Sequence, residues 1–251
     1  GEHPNLRTTA MENTELNSKL SVTTMDFTKL TSLEYKGAII GMILGDGYLG
    51  DRGIKTCSIS EEYIKMKEQI LKQLTDTTIY KDERRIGSYG KNPLYELRGR
   101  VHPLYQKLRM RFYPNGKKQI SEYTMKTLNE LGLLFWYLDD GCLDTGDGGI
   151  RFQIWSCEFT EIENLYIQKT LNDRFGLRFN LRKQFKKKTG KIYYWLYLKA
   201  ADRLTFWDKI IKPFLQYIPK EMMYKIPTRE SIESKMDSNK HTRYYQDSIK
   251  I

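Results

Sequence analysis

Two aspartates stand where aspartate is usually unfavourable, each at the end of an apolar segment and directly before a glycine. Asp46 lies in Leu44-Gly45-Asp46-Gly47, and Asp140 lies in Leu138-Asp139-Asp140-Gly141. Glycine commonly ends helices, whereas the partial negative charge of a helix C-terminus repels a carboxylate. A cation beside each carboxylate would offset this repulsion. Two such helix ends brought together would form an oxygen-rich pocket suited to a hard divalent cation such as Mg²⁺.

The segments that must position these aspartates are apolar on every side. The first is predicted to be a helix from Tyr35 to Asp46, and the second a helix from Thr124 to Asp140. A helix that is apolar all round must be buried all round. Gly41 and Gly45 leave a flat stripe on the first helix where another backbone can approach closely, and the second helix is its natural partner. We therefore expect Asp46 and Asp140 to meet between two halves of the molecule.

The order of elements after each apolar helix repeats along the chain. Hydrophobic periodicity and turn residues predict a strand (54–60 and 150–156), an amphipathic helix (61–74 and 160–175), a hairpin (77–86 with 94–100, and 177–187 with 191–199) and a last helix (102–113 and 202–211). The fold class is therefore α+β, with two pseudo-symmetric halves placed at 33–122 and 123–229. The polar segments 1–32 and 230–251 are expected to be loosely ordered tails.

Residues 39–47 and 133–141 both resemble the LAGLIDADG motif of homing endonucleases. The chain over about 33–229 resembles the single-chain, two-motif members, particularly those encoded by mitochondrial group I introns. The resemblance implies αββαββα-type halves with antiparallel DNA-binding sheets, a central two-helix interface and a monomer with an internal pseudo-twofold axis. It also implies site-specific cleavage of a long, asymmetric double-stranded DNA target across the minor groove, with short 3′ overhangs. Intron mobility and an organellar, mainly mitochondrial, location follow from the same resemblance.

The resemblance also assigns the site residues. Asp46 and Asp140 would be catalytic ligands of Mg²⁺ or Mn²⁺, while Ca²⁺ would bind without supporting efficient cleavage. Gly45 and Asp139 would belong to the metal site, although Asp140 is the favoured ligand because it precedes the glycine, and Asp139 has a supporting or interface role. Family members carry active-site lysines at positions that match Lys118 and Lys225. An ammonium group there could order the attacking water or stabilise the pentavalent phosphate.

The formal net charge of +11 indicates a polyanionic partner. Residues 177–185 alternate in character: Arg178, Asn180, Arg182 and Gln184 share one face of the predicted strand, and such side chains can bond bases bidentately in the major groove. The aromatic residues 193–197 are expected in the core of the sheet. The predicted DNA-binding residues are Arg84, Arg85, Arg98, Arg100, Arg151, Gln153, Arg178, Asn180, Arg182, Gln184, Lys186, Lys187, Lys188 and Lys191.

Several other classes are excluded or disfavoured. Three cysteines without a CxxC spacing indicate neither a disulfide framework nor a zinc ribbon, and the three histidines are scattered. The strongest apolar run, 38–44, is too short to span a membrane. The main alternative is a maturase that binds intron RNA with the same fold, and a ribosomal accessory protein is a third candidate. Neither alternative requires carboxylates at two helix ends, so the paired aspartates favour cleavage.

Overall fold

The computed structural model describes residues 25–83 and 92–236. In the first half, Thr31 and Glu34 form a capping box that begins the first apolar helix. The elements of this half are α1 (Ser32–Leu44), β1 (Tyr48–Gly50), β2 (Gly53–Ser58), α2 (Glu61–Leu71), β3 (Thr77–Asp82), β4 (Leu94–Gly99) and α3 (Pro103–Phe112).

The second half repeats this order. Its elements are α4 (Glu122–Thr127), α5 (Glu130–Asp140), β5 (Gly141–Asp144), β6 (Arg151–Trp155), α6 (Glu161–Phe175), β7 (Phe179–Lys186), β8 (Lys191–Leu198) and α7 (Arg203–Phe206). α2 and α6 begin in the same way, from Ser60 and Thr160 as N-caps. Irregular helical turns follow α7, from Trp207–Ile211 to Lys220–Lys225.

Each half contains one four-stranded antiparallel sheet, and the two sheets have the same topology. The strand orders are β1-β2-β4-β3 and β5-β6-β8-β7. In β6, Phe152 and Ile154 face the core, while the alternate residues face outward. The predicted α+β fold with two pseudo-symmetric halves is confirmed.

The seam between the halves is the contact of α1 with α5, as the glycine stripe predicts. A Cβ atom on Gly41 would lie 1.9 Å from the Gly132 carbonyl oxygen, and one on Gly132 would lie 2.1 Å from that of Gly37. The two helix backbones therefore contact each other directly. Gly132 of α5 lies opposite the glycines of α1 and makes this close approach possible. Most of both helices is buried, in agreement with their all-round apolar sequences.

The predicted helix over 124–140 is wrong in one respect, because it consists of two helices. Leu128 is extended, and Asn129 starts α5 by accepting a hydrogen bond from the Gly132 N–H. The Asn129 amide also donates to the Glu34 carbonyl of α1 at 3.0 Å. The helix break at Asn129 therefore places a hydrogen bond between the two halves at the seam.

Three further predictions are corrected. The short strands β1 and β5 were not predicted, and the predicted helix over 202–211 is α-helical only in Arg203–Phe206. The folded body also extends into both predicted tails: Phe27 is 3% exposed and contacts Tyr217, and Ile232 is fully buried in a helical stretch over 229–236. Within 25–83 and 92–236, no helix combines the length and apolarity that crossing a membrane requires.

Candidate active site and nucleic-acid interface

The ends of α1 and α5 open onto a cavity of about 470 Å³. Asp46 follows the C-cap Gly45 of α1, and Asp140 is the last residue of α5. Both aspartates line this cavity, with Asp46 exposed to it and Asp140 half-buried. The outward faces of the two sheets reach the same cavity through Tyr48 of β1 and Trp155 of β6. The structure thus brings together the two aspartates that the sequence places 94 positions apart.

The protein surroundings disfavour negative charge at this cavity. Desolvation, followed by the charges of Asp46 and Asp139, raises the pKa of Asp140 to about 7. Desolvation and the charge of Asp139 also raise the pKa of Asp46. A bound cation would stabilise the ionised form of these carboxylates, because it would offset both the desolvation and the repulsion between them.

The donor set fits a hard divalent cation. Asp46 and Asp140 line the cavity and carry only oxygen donors, and the Gly45 carbonyl, which accepts from Lys118, is a further oxygen beside them. Within the described ranges, no group of three or more His, Cys, Asp or Glu side chains is arranged to hold a metal ion. Mg²⁺ is typically held by one or two carboxylates, with water and substrate phosphates completing its coordination.

The two predicted lysines reach the two helix ends. The Lys118 ammonium donates to the Gly45 carbonyl at 3.1 Å and forms an ion pair with Glu158 at 2.5 Å. The Lys225 ammonium donates to the carbonyls of Leu138 and Asp139, at 2.6 and 3.1 Å. Each lysine thereby offsets the negative end of a helix that has no basic residue in its last turn.

The two lysines lie in different environments. Lys225 is 7% exposed, and burial lowers the pKa of its ammonium group. The Tyr137 hydroxyl holds the main chain there by donating to the Lys225 carbonyl at 2.7 Å. Lys118 instead has the carboxylate of Glu158, a cavity residue that the sequence analysis did not single out.

A second cavity, of about 490 Å³, lies at the pseudo-equivalent place in the other half. It is lined by Asp46, Asp139, Lys225 and Cys57, whereas the first cavity contains Asp140, Lys118 and Cys157. Cys57 and Cys157 each lie three residues before the N-caps of α2 and α6. Asp46 lines both cavities, so the two cavities meet at this residue.

Asp139 lies in a buried ion pair. Its side chain and that of Lys67 are both 0% exposed, and the Lys67 ammonium lies 2.7 and 2.9 Å from the two carboxylate oxygens. The Tyr63 hydroxyl and the Asp46 main-chain N–H also donate to this carboxylate. Both oxygens of Asp139 therefore already accept hydrogen bonds, which favours a supporting role for this residue over metal coordination. Sequence reasoning missed Lys67, although a lysine on the apolar face of α2 was a usable signal.

The outward face of the second sheet carries the predicted polar row. Cross-strand register aligns Gln153 with Tyr197 and Asn180, and Trp155 with Trp195 and Arg182. The predicted core position of the aromatic residues 193–197 is wrong for Tyr193, Trp195 and Tyr197, which share this outward face and are only half-buried. Gln184 continues the same row of β7, and Lys186, Lys187, Lys188 and Lys191 surround the exposed hairpin tip.

Several predicted DNA-binding arginines are engaged within the protein. Arg178 pairs bidentately with the buried Asp202, at 2.6 and 2.9 Å. Arg151 contacts Asp144 at 3.1 Å. In the first sheet, Arg98 faces outward and pairs with its strand neighbour Glu96. Arg100 lies beyond β4, largely exposed and 3.9 Å from Asp76, whereas Arg84 and Arg85 lie outside the described residues.

Comparison with known proteins identifies one family model, related sequences and a solved structure that are similar to this chain. Residues 36–206 match the family model described as the LAGLIDADG DNA endonuclease family. An uncharacterized protein of Methanocaldococcus jannaschii is 28% identical over 182 residues, which cover 70% of this chain and 68% of that protein. The cytochrome b mRNA maturase bI2 of Debaryomyces hansenii is 25% identical, with 80% and 77% covered. The structure of the homing endonuclease I-WcaI bound to its DNA recognition sequence gives a TM-score of 0.62 at 22% identity, covering 81% of this chain and 92% of that chain.

Proposed function

Because this chain belongs to the LAGLIDADG DNA endonuclease family, we propose that it cuts both strands of double-stranded DNA at a specific, long and asymmetric site. The observation that carries the proposal is the convergence of Asp46 and Asp140 on one cavity between two outward-facing sheets. Cleavage across the minor groove with short 3′ overhangs, action as a monomer, and promotion of intron mobility belong to the same proposal. An organellar host intron is also proposed, since one relative is named a cytochrome b mRNA maturase.

The chain's own residues divide the work at the scissile phosphates. Asp46, Asp140 and the Gly45 carbonyl would hold Mg²⁺ or Mn²⁺, which supplies Lewis-acid stabilisation of the phosphate and a more acidic water. Lys118 keeps its ammonium group at the cavity wall, where it can donate to a phosphate oxygen or orient water. Lys225 stays at the end of α5 and keeps two carbonyl dipoles neutralised.

DNA recognition is assigned to the outward faces of the sheets. Asn180, Arg182 and Gln184 can contact base edges, and the lysines of the β7–β8 tip can contact phosphates. Neutralised phosphates release counterions, so binding should weaken steeply as salt is raised.

The test is cleavage of supercoiled plasmid carrying a target selected from a randomised duplex library. Wild type should cut with Mg²⁺ or Mn²⁺, and should bind without efficient cutting in Ca²⁺. Asp46→Asn and Asp140→Asn should bind the target and fail to cut it. Undiminished cutting by both variants would refute their assignment.

A maturase remains the second candidate, and the named maturase relative is the observation that favours it. Under that alternative, the chain would bind its intron RNA and accelerate splicing while wild-type protein left every DNA target intact. RNA binding together with DNA cleavage would assign both activities to the chain.

A further inference from the structure

Lys67 is the charged exception on the inward face of α2. Its neighbours on this face, Ile64 and Ile70, are fully buried and apolar, and Lys67 itself is 0% exposed. α6 begins from the equivalent N-cap and places the fully buried Ile167 seven residues after it, as α2 places Lys67. Burying an ammonium group is costly unless it is paired. At this position of the helix, an ammonium group is buried in the first half only.

The partner of Lys67 is an exception of the same kind. Asp46 and Asp140 are equivalent in the two motifs, so the residue equivalent to Asp139 is Gly45. The pseudo-twofold therefore relates the pair of Lys67 with Asp139 to the pair of Ile167 with Gly45. One pair of positions forms a buried ion pair, whereas the equivalent pair of positions carries no charged group. A well-packed apolar pair is often at least as stable as a buried ion pair, which points to a role other than stability.

The role is visible in the hydrogen bonds of Asp46. The N–H groups of Gly45 and Gly47 bond back to carbonyls of α1, those of Gly41 and Met42. The Asp46 N–H lies between them and donates instead to Asp139 Oδ2, at 3.2 Å across the seam. This bond ties the main chain of Asp46 to the opposite half.

The acceptor carboxylate is itself held by two side chains, those of Lys67 and Tyr63. Lys67 contacts both oxygens of Asp139, and the Tyr63 hydroxyl donates to Oδ1 at 2.9 Å. Lys67 in turn donates to the Thr56 hydroxyl at 3.0 Å and lies 4.5 Å from the centre of the Tyr63 ring. The carboxylate is therefore held in position by side chains of the protein itself.

We propose that Lys67 and Asp139 are positioning residues that fix the Asp46 main chain, and so aim its carboxylate into the catalytic cavity. The inference rests on the proposed function of Asp46. The side chains of Lys67 and Asp139 are both 0% exposed, so the proposed role of the pair is exerted through Asp46. The pair also gives the two sides of the centre unequal support, because Gly45 has no side chain to hold the Asp140 main chain.

The test uses two double variants that differ only at position 139. Lys67→Met/Asp139→Asn removes both charges and keeps a carbonyl oxygen for the Asp46 N–H. Lys67→Met/Asp139→Ala removes the charges and the acceptor, while the Tyr63 hydroxyl retains the Phe135 carbonyl at 3.4 Å. Paired removal avoids leaving one buried charge alone, which would confuse misfolding with mispositioning.

The first measurement is amide hydrogen exchange, which needs neither DNA nor metal. Exchange at Asp46 should be about tenfold faster in the alanine variant than in the asparagine variant, because one hydrogen bond to the amide is lost. Exchange at Gly45 and Gly47 should match between the two variants. Equal protection of Asp46 in both variants would overturn the proposal.

The second measurement is catalysis and metal binding on the selected target. Target affinity in Ca²⁺ should be the same in both variants, whereas Mn²⁺ affinity and the cleavage rate at saturating DNA should be about tenfold lower in the alanine variant. The asparagine variant should restore most of the rate. Rates that follow melting temperature alone would assign the pair a structural role and refute positioning. Failure of the wild type to cut DNA would refute the proposed function, and the exchange experiment would still decide the pair.

Discussion

Substituting Gly41 by alanine should separate the two central helices. A Cβ on Gly41 would lie 1.9 Å from the Gly132 carbonyl oxygen and 2.3 Å from the carbonyl carbon. Ordinary contact begins at 3.4 Å, so the two backbones must move apart by about 1.5 Å. No side-chain rotation can relieve this contact, because the obstacle is the main chain of α5.

The expected loss of stability follows from two opposing effects. Alanine favours a helix over glycine by about 1 kcal/mol. Overpacking a tight core contact costs about 1–3 kcal/mol, and a backbone obstacle places this change at or above the upper end. We therefore expect the free energy of unfolding to fall by roughly 2 kcal/mol.

The effect on cleavage should exceed the effect on stability. Asp46 and Asp140 lie at the ends of the two helices, so widening the seam changes the spacing of the carboxylates. Misplacement of a reacting group by about 1 Å can cost about 100-fold in rate. DNA affinity should change little, because the outward faces of the sheets are untouched.

Urea denaturation and single-turnover cleavage measure both effects. Gly149→Ala is the matched control, since its φ is −84° and the nearest atoms, at 3.3 Å, belong to a side chain, that of Arg151, and not to the main chain. The control should remain within about 0.5 kcal/mol of wild type. If Gly41→Ala is as stable and as active as this control, the close backbone seam does not exist in solution.

Three further predictions concern charge. Burial raises the pKa of Asp140 from 3.8 to about 7, so between these pH values the folded state retains a proton that the unfolded state loses. The free energy of unfolding of the metal-free protein should therefore fall as pH rises through this range. Urea titrations should show a smaller fall for Asp140→Asn. Lys225→Met should slow single-turnover cleavage about tenfold with unchanged target affinity, because two carbonyls at the end of α5 lose their cation. Arg182→Ala should weaken target binding about tenfold in a filter assay, whereas Arg178→Ala should mainly lower the melting temperature, because it leaves the buried Asp202 unpaired.

The placement of the two aspartates could be predicted because it follows from local rules. A helix apolar on all sides requires burial, and glycine at Gly41 requires a close neighbour. A carboxylate at a helix C-terminus requires compensation. These requirements together place Asp46 and Asp140 at one interface without any knowledge of the sheets. The bounds of the halves, 33–122 and 123–229, stay a prediction.

The break between α4 and α5 could not be predicted in the same way. Residues 124–140 contain neither proline nor an internal Gly-Gly pair, so local propensity supports one continuous helix. Asn129 ends this continuity because its side chain caps α5 and also bonds to Glu34 of α1. The second bond is a tertiary contact that no pattern within the segment contains. The strands β1 and β5 escaped prediction because three or four residues carry too little periodicity.

On the outward face of the second sheet, residue type and alternation predict which way a side chain points, but not whether it is free to bond a base. Alternation correctly placed Asn180, Arg182 and Gln184 on one outward face, because strand geometry alone decides side-chain direction. Availability is a separate question. Arg178 would have to give up Asp202, and Arg151 would have to give up Asp144, before either could bond a base. Within the described residues, no carboxylate pairs with Arg182, so it can approach a guanine without that cost. Specific contacts in this half should therefore centre on the row of Arg182, and the paired arginines should contribute to the shape of the face and to its electrostatic field.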